Sequence, residues 1–144
     1  MMTYALIKFG SEAYQAELSL RNGLLRIPLG LDLYAEDLSR EDSDYHVGAF
    51  LHGKLIGCLV LTPLGGGEIK MRQVAVEKAC QGLGIGKKLV ERCEIYAGDM
   101  GCHRIVLAAR TAAVGFYQKL GYRAVGDEFI EVGIPHMMMT KDMT

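Results

Sequence analysis

The chain has 144 residues, of which 50% are hydrophobic and 23% are charged, so its composition is that of one globular domain with its own core. A formal net charge of -1 argues against a nucleic-acid partner bound through bulk positive charge. The N-terminus shows no signal peptide, and the longest notable uncharged run, 55–67, is too short and too broken to cross a membrane. The four cysteines lack C-x-x-C spacing and the histidines form no ligand pattern, so we predict free thiols, no metal site and a cytoplasmic location.

Short apolar runs bounded by turn residues predict the strands. The predicted strands are 3–9, 46–51, 55–62, 68–76, 104–109, 122–125 and 137–140. Helical spacing of apolar residues, with capping and stop residues at the ends, predicts the helices. The predicted helices are 12–22 with Gly23 as the stop, 85–100 closed by Gly101, and a segment capped by Thr111 and running to 120. The segment LLRIPLGLDLY, residues 24–34, is compatible with a short helix or with a shaped loop.

The order of these elements predicts a mixed sheet in an α/β chain of the α+β kind. Three consecutive strands, from 46 to 76, are joined by short turns and predict an antiparallel meander. The following strand–helix–strand unit predicts a parallel, right-handed crossover. We therefore expect a mostly antiparallel sheet of six or seven strands, flanked by about four helices, in a single domain over residues 1–144.

Three glycines stand at alternate positions in the segment 82–86, which leads into the first turn of the predicted helix 85–100. A helix start leaves about four N–H groups without internal partners and carries about half a positive charge, so this segment predicts an anion site made of main chain. Two common phosphate motifs fail on spacing. A P-loop would need glycine at Gln81 and Ser or Thr at Lys88, and a dinucleotide fingerprint would need glycine at Lys87.

Residues 81–86, QGLGIG, fit the pattern Q/R-x-x-G-x-G/A and resemble the acetyl-CoA-binding motif of the GCN5-related N-acetyltransferases, the GNAT family. Residues 114–122, VGFYQKLGY, resemble the A-x-x-F-Y-x-K-x-G-F segment of that family, at the expected place after one helix and one strand. The segments LLRIPLGL and EFIEVGIPHMMM look like features of a small bacterial branch, mostly without an assigned substrate. The resemblance implies the GNAT-type acyl-CoA N-acyltransferase fold.

The resemblance also implies where the cosubstrate acetyl-CoA binds. The pantetheine arm would pair with the strand residues Val74, Ala75 and Val76. Tyr117 would lie near the CoA sulfur as general acid, because a phenol with a pKa of about 10 can protonate a departing thiolate. The diphosphate would contact main-chain amides in the glycine-rich loop, with one lysine adjacent; these residues are Gln81, Gly82, Leu83, Gly84, Ile85, Gly86 and Lys87.

The resulting prediction is an N-acetyltransferase that moves the acetyl group from acetyl-CoA to a primary amine of a small molecule or peptide, by direct attack in a ternary complex. A primary amine with a pKa of about 10.4 must first lose a proton, and we predict Glu131 and His136 as the bases, with Glu128 as a further candidate. Cys80, just outside the loop, offers a covalent alternative.

Several alternatives stay open on the sequence alone. The chain could be a non-catalytic acyl-CoA-binding or sensor module, or an interaction protein that forms a homodimer through its late strands. Arg110 stands where many family members have Asn, and it could reach a phosphate or an acidic substrate. The acidic tract at 36–44 is either a solvated face or an attractor for a cationic amine. No nucleic-acid or membrane partner is expected.

Overall fold

The computed structural model describes residues 1–143, which form a seven-stranded sheet and three α-helices. The strands are β1 (Met2–Ile7), β2 (Tyr45–Leu51), β3 (Lys54–Gly65), β4 (Glu68–Val76), β5 (Arg104–Arg110), β6 (Arg123–Glu131) and β7 (Ile134–Asp142). The helices are α1 (Glu12–Leu25), α2 (Ile85–Asp99) and α3 (Val114–Lys119). Short 3₁₀ segments cover Ile27–Leu29, Leu33–Ala35, Ser39–Ser43, Lys78–Cys80 and Thr111–Ala113.

The sheet has the order β1-β2-β3-β4-β5-β7-β6. Strands β2, β3 and β4 form the predicted antiparallel meander, and β4 pairs with β5 in parallel across α2. All other neighbouring pairs are antiparallel. The mixed, mostly antiparallel sheet of the sequence prediction is therefore confirmed.

The helices differ in detail from the prediction, which gave about four of them. The segment 24–34 forms two 3₁₀ turns instead of a helix, and 3₁₀ geometry also takes the first turn of the predicted helix after Thr111. Gly23 does not stop α1, since an exposed glycine inside a helix costs only about 1 kcal/mol and the helix continues to Leu25. Among residues 1–143, no helix has both the length and the apolar character that crossing a bilayer requires.

The last two strands are longer than predicted, at nine residues each. The prediction followed the apolar run 122–125, but β6 is an edge strand whose side chains are mostly exposed. Pairing with β7 therefore extends through polar residues as far as Glu131. This extension brings Glu131 and His136 close to the last residue of β5, since Arg110 pairs directly with His136.

Two apolar clusters lie on opposite faces of the sheet. The larger one packs α2 against the strands through Leu89, Val90 and Cys93, all fully buried. The smaller one holds α1 through Tyr14 and Leu18. Alternation along β5 and along β4 up to Arg72 therefore sends every second side chain toward α2 and leaves the others on the α1 face.

Candidate active site

Strands β4 and β5 separate partway along their length. They pair only from Glu68↔Arg104 to Met71↔Leu107, although β4 continues to Val76 and β5 to Arg110. The separation begins at a β-bulge, where the register between β3 and β4 shifts and Gln73 adopts a left-handed φ of 55°. A bulge increases strand twist, so the end of β4 turns away from β5 and leaves one main-chain edge unpaired.

The glycine-rich loop lies at the open end of this split. Gly82 and Gly84 have φ values of 83° and 79°, in the left-handed region that suits glycine, and no other atom lies within 4 Å of a Cβ built on either residue. The loop is therefore not filled by the protein's own side chains. The side-chain amide of Gln81 donates a 3.0 Å hydrogen bond to the carbonyl of Val76 and fixes the loop to the end of β4.

The start of α2 provides free donors and positive charge. The first intrahelical bond runs from the N–H of Lys88 to the carbonyl of Gly84, so the N–H groups of the preceding turn have no acceptor among residues 1–143. No acidic residue occurs in the first turn, which instead carries Lys87 and Lys88. Lysines at a helix N-terminus oppose the helix dipole, and an anion bound there would compensate both.

A cavity of about 550 Å³, which we call the loop cavity, joins the loop to the split in the sheet. Its lining includes every predicted cofactor residue except Ala75, which is buried and pairs with Cys58 on the α1 face, and Leu83, which is 71% exposed. The lining residues are Val74, Val76, Cys80, Gln81, Gly82, Gly84, Ile85, Gly86, Lys87, Ala113, Phe116 and Tyr117.

A second cavity of about 450 Å³, the strand cavity, opens on the α1 face of the same split. It is lined by β4, β5, the end of α1 and the β6–β7 turn. Its lining residues are Leu25, Arg26, Lys70, Met71, Arg72, Gln73, Val74, Leu107, Ala108, Ala109, Arg110, Ala113, Tyr117, Glu131, Val132 and His136. The structure thus brings the predicted residues Tyr117, Glu131 and His136 to one cavity.

Tyr117 lines both cavities, a position it shares with Val74 and Ala113. It is 7% exposed, and its hydroxyl makes no hydrogen bond to residues 1–143. The ring packs edge-on against Phe116 and Tyr122. Burial, with a smaller contribution from Cys93, raises the pKa of Tyr117 to about 12, so the phenol is protonated at neutral pH.

His136 and Glu131 lie next to each other on the β6–β7 hairpin. The Nδ1 of His136 lies 2.7 Å from the carbonyl of Ile134, so this nitrogen must be the donor. The neutral ring then has its lone pair on Nε2, which lies 3.8 Å from a carboxylate oxygen of Glu131. A buried imidazole with a free Nε2 and a carboxylate beside it is a competent proton acceptor.

The basic side chains of the strand cavity were only partly anticipated from sequence. Arg110 alone of these is singled out from the sequence, whereas Arg26, Lys70 and Arg72 also line the cavity. The available signal was the alternation of β4, where Lys70 and Arg72 share one face while Ile69 and Met71 are buried on the other.

The acidic tract is mostly engaged by basic and polar partners inside the protein. Glu41 pairs with Arg21, and Glu36 pairs with Arg26. Asp44 lies 3.4 Å from Arg72, and Asp37 accepts hydrogen bonds from Ser39. The tract is therefore neither a wholly solvated face nor a free attractor for amines.

Glu41 belongs to a buried ionic cluster on the α1 face, with Glu17, Arg21, His46 and Tyr14. Arg21, 1% exposed, donates to both carboxylates at 2.7–2.8 Å, and Tyr14 donates to Glu41 at 2.7 Å. Burial alone would raise the pKa of Glu41, but hydrogen bonds from Arg21 and Tyr14 hold it below its ordinary value. The carboxylates and His46 lie within 4.8 Å of one another, and Arg21 supplies the positive charge that a metal ion would otherwise provide.

The same cluster supports the split in the sheet. The Nε of Arg21 lies 3.3 Å from the side-chain oxygen of Gln73, the residue in the left-handed conformation at the bulge. A non-glycine residue in that conformation costs on the order of 1 kcal/mol or more and needs surrounding contacts to hold it. Arg21 therefore connects the buried charges of α1 to the geometry of β4.

The two remaining candidates from the sequence are Glu128 and Cys80, and Glu68 is a further carboxylate on β4. Glu128 accepts a hydrogen bond from Thr111 at 3.2 Å, and Glu68 pairs with Arg104 at the closed end of the split. Cys80 lines the loop cavity and is a free thiol.

Comparison with solved structures defines the class of the fold as that of the N-acyltransferases. An acyl-CoA N-acyltransferase from Pseudomonas aeruginosa has a TM-score of 0.84 at 22% identity, over 98% of this chain and 99% of that chain. An aminoglycoside 6'-N-acetyltransferase solved with coenzyme A has a TM-score of 0.82 at 18% identity, over 97% and 96%. Residues 12–122 match the sequence model of the acetyltransferase (GNAT) family. The chain belongs to that family.

Sequence relatives include proteins named as acetyltransferases. The uncharacterised N-acetyltransferase YjcF of Bacillus subtilis is 36% identical over 88 residues, which are 56% of this chain and 63% of the relative. The matched segments span 49% to 63% of the length of the first curated relatives.

Proposed function

We propose that this protein is an N-acetyltransferase that transfers the acetyl group of acetyl-CoA to a primary amine of a small molecule or peptide. The observation that carries the proposal is the position of Tyr117. Its protonated hydroxyl has no hydrogen-bond partner in the described part of the chain and lies where the loop cavity meets the strand cavity. The adjacent Tyr122, in contrast, donates a hydrogen bond from its hydroxyl to Glu94 at 2.9 Å and lines neither cavity.

The loop cavity supports the proposal, because it offers donors for the diphosphate and an unpaired strand edge for the pantetheine arm. The N–H groups between Gly82 and Lys87 would bind the diphosphate, and the unpaired edge of Val74 to Val76 would accept the pantetheine arm as an added strand. The arm would then enter the split and bring the thioester to Tyr117. Family membership supports an acyl-CoA cosubstrate, and the acetyl group is part of the proposal.

The acceptor would enter through the strand cavity. His136 Nε2 removes a proton from the ammonium group, with Glu131 stabilising the imidazolium. The free amine attacks the thioester carbonyl carbon, so a C–N bond forms as the C–S bond breaks. Tyr117 donates its proton to the departing thiolate. The acetylated nitrogen then gives up its second proton, which restores the phenol of Tyr117, and His136 releases its proton to solvent, so the products are the N-acetyl amine, CoA thiol and one proton. Holding both reactants across one split supplies much of the remaining acceleration.

Thiol release from acetyl-CoA, measured against a panel of amines, tests this proposal. Amine-dependent release of CoA with intersecting double-reciprocal lines would support direct transfer in a ternary complex. Parallel lines, together with loss of activity in Cys80→Ala, would instead indicate an acyl-cysteine intermediate. Binding of acetyl-CoA without release for any amine would identify a non-catalytic acyl-CoA-binding module.

Gly84→Val is expected to raise the KM for acetyl-CoA about tenfold or more. Gly84 has a φ of 79°, which a β-branched residue adopts only at a cost of about 1–3 kcal/mol, so the N–H groups of the next turn would be displaced. Steady-state kinetics with Gly84→Asn provides the control, because Asn has a similar volume and tolerates this conformation. An equal effect of both substitutions would show that steric block, rather than backbone geometry, limits binding.

His136→Asn is expected to lower kcat at neutral pH by about 10²-fold, because the ammonium group loses its proton acceptor. The loss should shrink as pH rises toward the pKa of about 10.4 of a lysine-like amine, because the free amine then forms without a base. Rates across pH measure this, with His52→Asn at an exposed turn as the control. A defect that is independent of pH would rule out the role of His136 as base.

A further inference from the structure

The charge balance of the strand cavity points to a particular kind of acceptor. We propose that the acceptor amine also carries an anionic group, a carboxylate or a phosphate, which Arg110 binds in the strand cavity. This rests on the proposed acetyl transfer, since it concerns the second substrate of that reaction. Three observations carry it: the surplus of positive charge, the free guanidinium of Arg110 and the position of Arg110 opposite His136.

Positive charge in the strand cavity exceeds negative charge. Four basic side chains line the cavity, and Glu131 is its one acidic lining residue. Two of the four are paired: Arg26 lies 2.7 Å from Glu36, and Arg72 lies 3.4 Å from Asp44. Neither Lys70 nor Arg110 forms an ion pair with residues 1–143. The cavity therefore presents two uncompensated cations toward whatever enters it.

Arg110 is the better placed of the two for recognition. Its guanidinium makes one hydrogen bond, from Nη2 to the carbonyl of Leu25 at 3.3 Å, so most of its donors are free. Partial burial, and then the neighbouring Arg26, lower the pKa of Arg110. A bound anion would relieve both effects, and the planar fork of arginine suits carboxylate and phosphate oxygens.

The position of Arg110 indicates that this anion belongs to the acceptor and not to the cosubstrate. Arg110 lines the strand cavity and is absent from the lining of the loop cavity, where the CoA diphosphate would bind. It pairs directly with His136 across the β5–β7 ladder, so both side chains stand on the same face, about 5 Å apart at Cβ. An amine at His136 and an anion at Arg110 can therefore belong to one small molecule.

A panel of matched amines on the wild-type enzyme tests the inference without any substitution. One series carries a carboxylate: β-alanine, 4-aminobutyrate and 6-aminohexanoate. A second carries a phosphate, as O-phosphoethanolamine, and the reference series is ethanolamine, propylamine and butylamine. We expect kcat/KM at least tenfold higher for the best anionic amine than for its neutral counterpart. A preference for one anionic series would identify which group is bound.

Equal or better rates with the neutral amines would overturn the inference and leave acetyl transfer intact. Release of CoA with none of these amines, nor with peptide or polyamine acceptors, would overturn acetyl transfer itself and this inference with it. The two failures are therefore distinguishable within one experiment.

Arg110→Gln is expected to reduce the ratio of kcat/KM for anionic over neutral amines about tenfold, and Arg110→Lys should retain part of it. Arg40→Gln, at an exposed arginine outside both cavities, is the control and should leave the ratio unchanged. Melting temperatures establish that each variant is folded. If Arg110→Gln keeps the wild-type ratio, Arg110 does not bind the anion. If Arg110→Gln fails to fold, the wild-type panel and the ratio measured for Arg110→Lys still show whether an anionic group is bound.

Discussion

Tyr117→Phe is expected to lower kcat about 10²-fold while changing the KM for acetyl-CoA by less than about threefold. The substitution removes the group that we propose protonates the departing thiolate, but it leaves the ring and its edge-on contacts with Phe116 and Tyr122 in place. Because the pKa of Tyr117 is raised to about 12, the wild-type phenol stays protonated well above neutral pH, and the defect should persist from pH 6 to about pH 9. Thiol-release kinetics across this range measure it.

Tyr122→Phe provides the matched control, since it makes the same chemical change on the adjacent ring. The hydroxyl of Tyr122 donates a hydrogen bond to Glu94, which Lys141 also contacts at 3.1 Å. Tyr122 lines neither cavity. This variant should lose about 1 kcal/mol of stability and keep its kcat. An equal fall of kcat in both variants, or an unchanged kcat in Tyr117→Phe, would contradict the general-acid role.

Arg21→Met is expected to lower the free energy of unfolding by about 3–5 kcal/mol, a large share of the stability of a small domain. The substitution leaves Glu17 and Glu41, both almost fully buried, without the guanidinium that donates to each. The loss should be greatest at neutral pH and smaller in acid, where the carboxylates can be protonated. Urea unfolding at several pH values measures it.

Two further variants test whether the loss of stability in Arg21→Met comes from the burial of its ion pairs. Arg123→Met removes an exposed arginine 4.0 Å from Asp142 and should change stability little. The double variant Arg21→Met, Glu41→Leu removes both members of a buried pair and should recover part of the loss. If Arg21→Met has the same free energy of unfolding as Arg123→Met, the buried ionic cluster does not stabilise the fold. A raised KM for acetyl-CoA in Arg21→Met would further link Arg21 to the bulge at Gln73.

The features that sequence alone could predict are those with local causes. The glycine-rich loop was predicted because left-handed backbone and free N–H groups follow from glycine and from a helix start, whatever surrounds them. The strand 68–76 was predicted with the observed limits, and the helix before Gly101 within one residue, because both have strong apolar periodicity.

The features that sequence alone missed depend on contacts between distant residues. Gln73 is not a residue that marks a bulge, and its left-handed conformation is supported by Arg21, 52 positions away. Arg26 and Arg110 meet because the end of α1 lies over the split in the sheet, which no local pattern reveals. The exposed part of β6 has no apolar alternation, so its pairing with β7 could not be read from periodicity.

Amide chemical shifts of the ¹⁵N-labelled protein test most directly whether main-chain N–H groups of the glycine-rich loop bind the diphosphate of acetyl-CoA. Titration with acetyl-CoA should shift the amide signals of Gly82, Gly84 and Gly86 in a saturable way. The signals of Gly101 and Gly121 should stay unchanged, since those N–H groups already bond to Gly98 and Gln118. Unshifted loop amides at millimolar acetyl-CoA, or shifts confined to other parts of the chain, would contradict such binding.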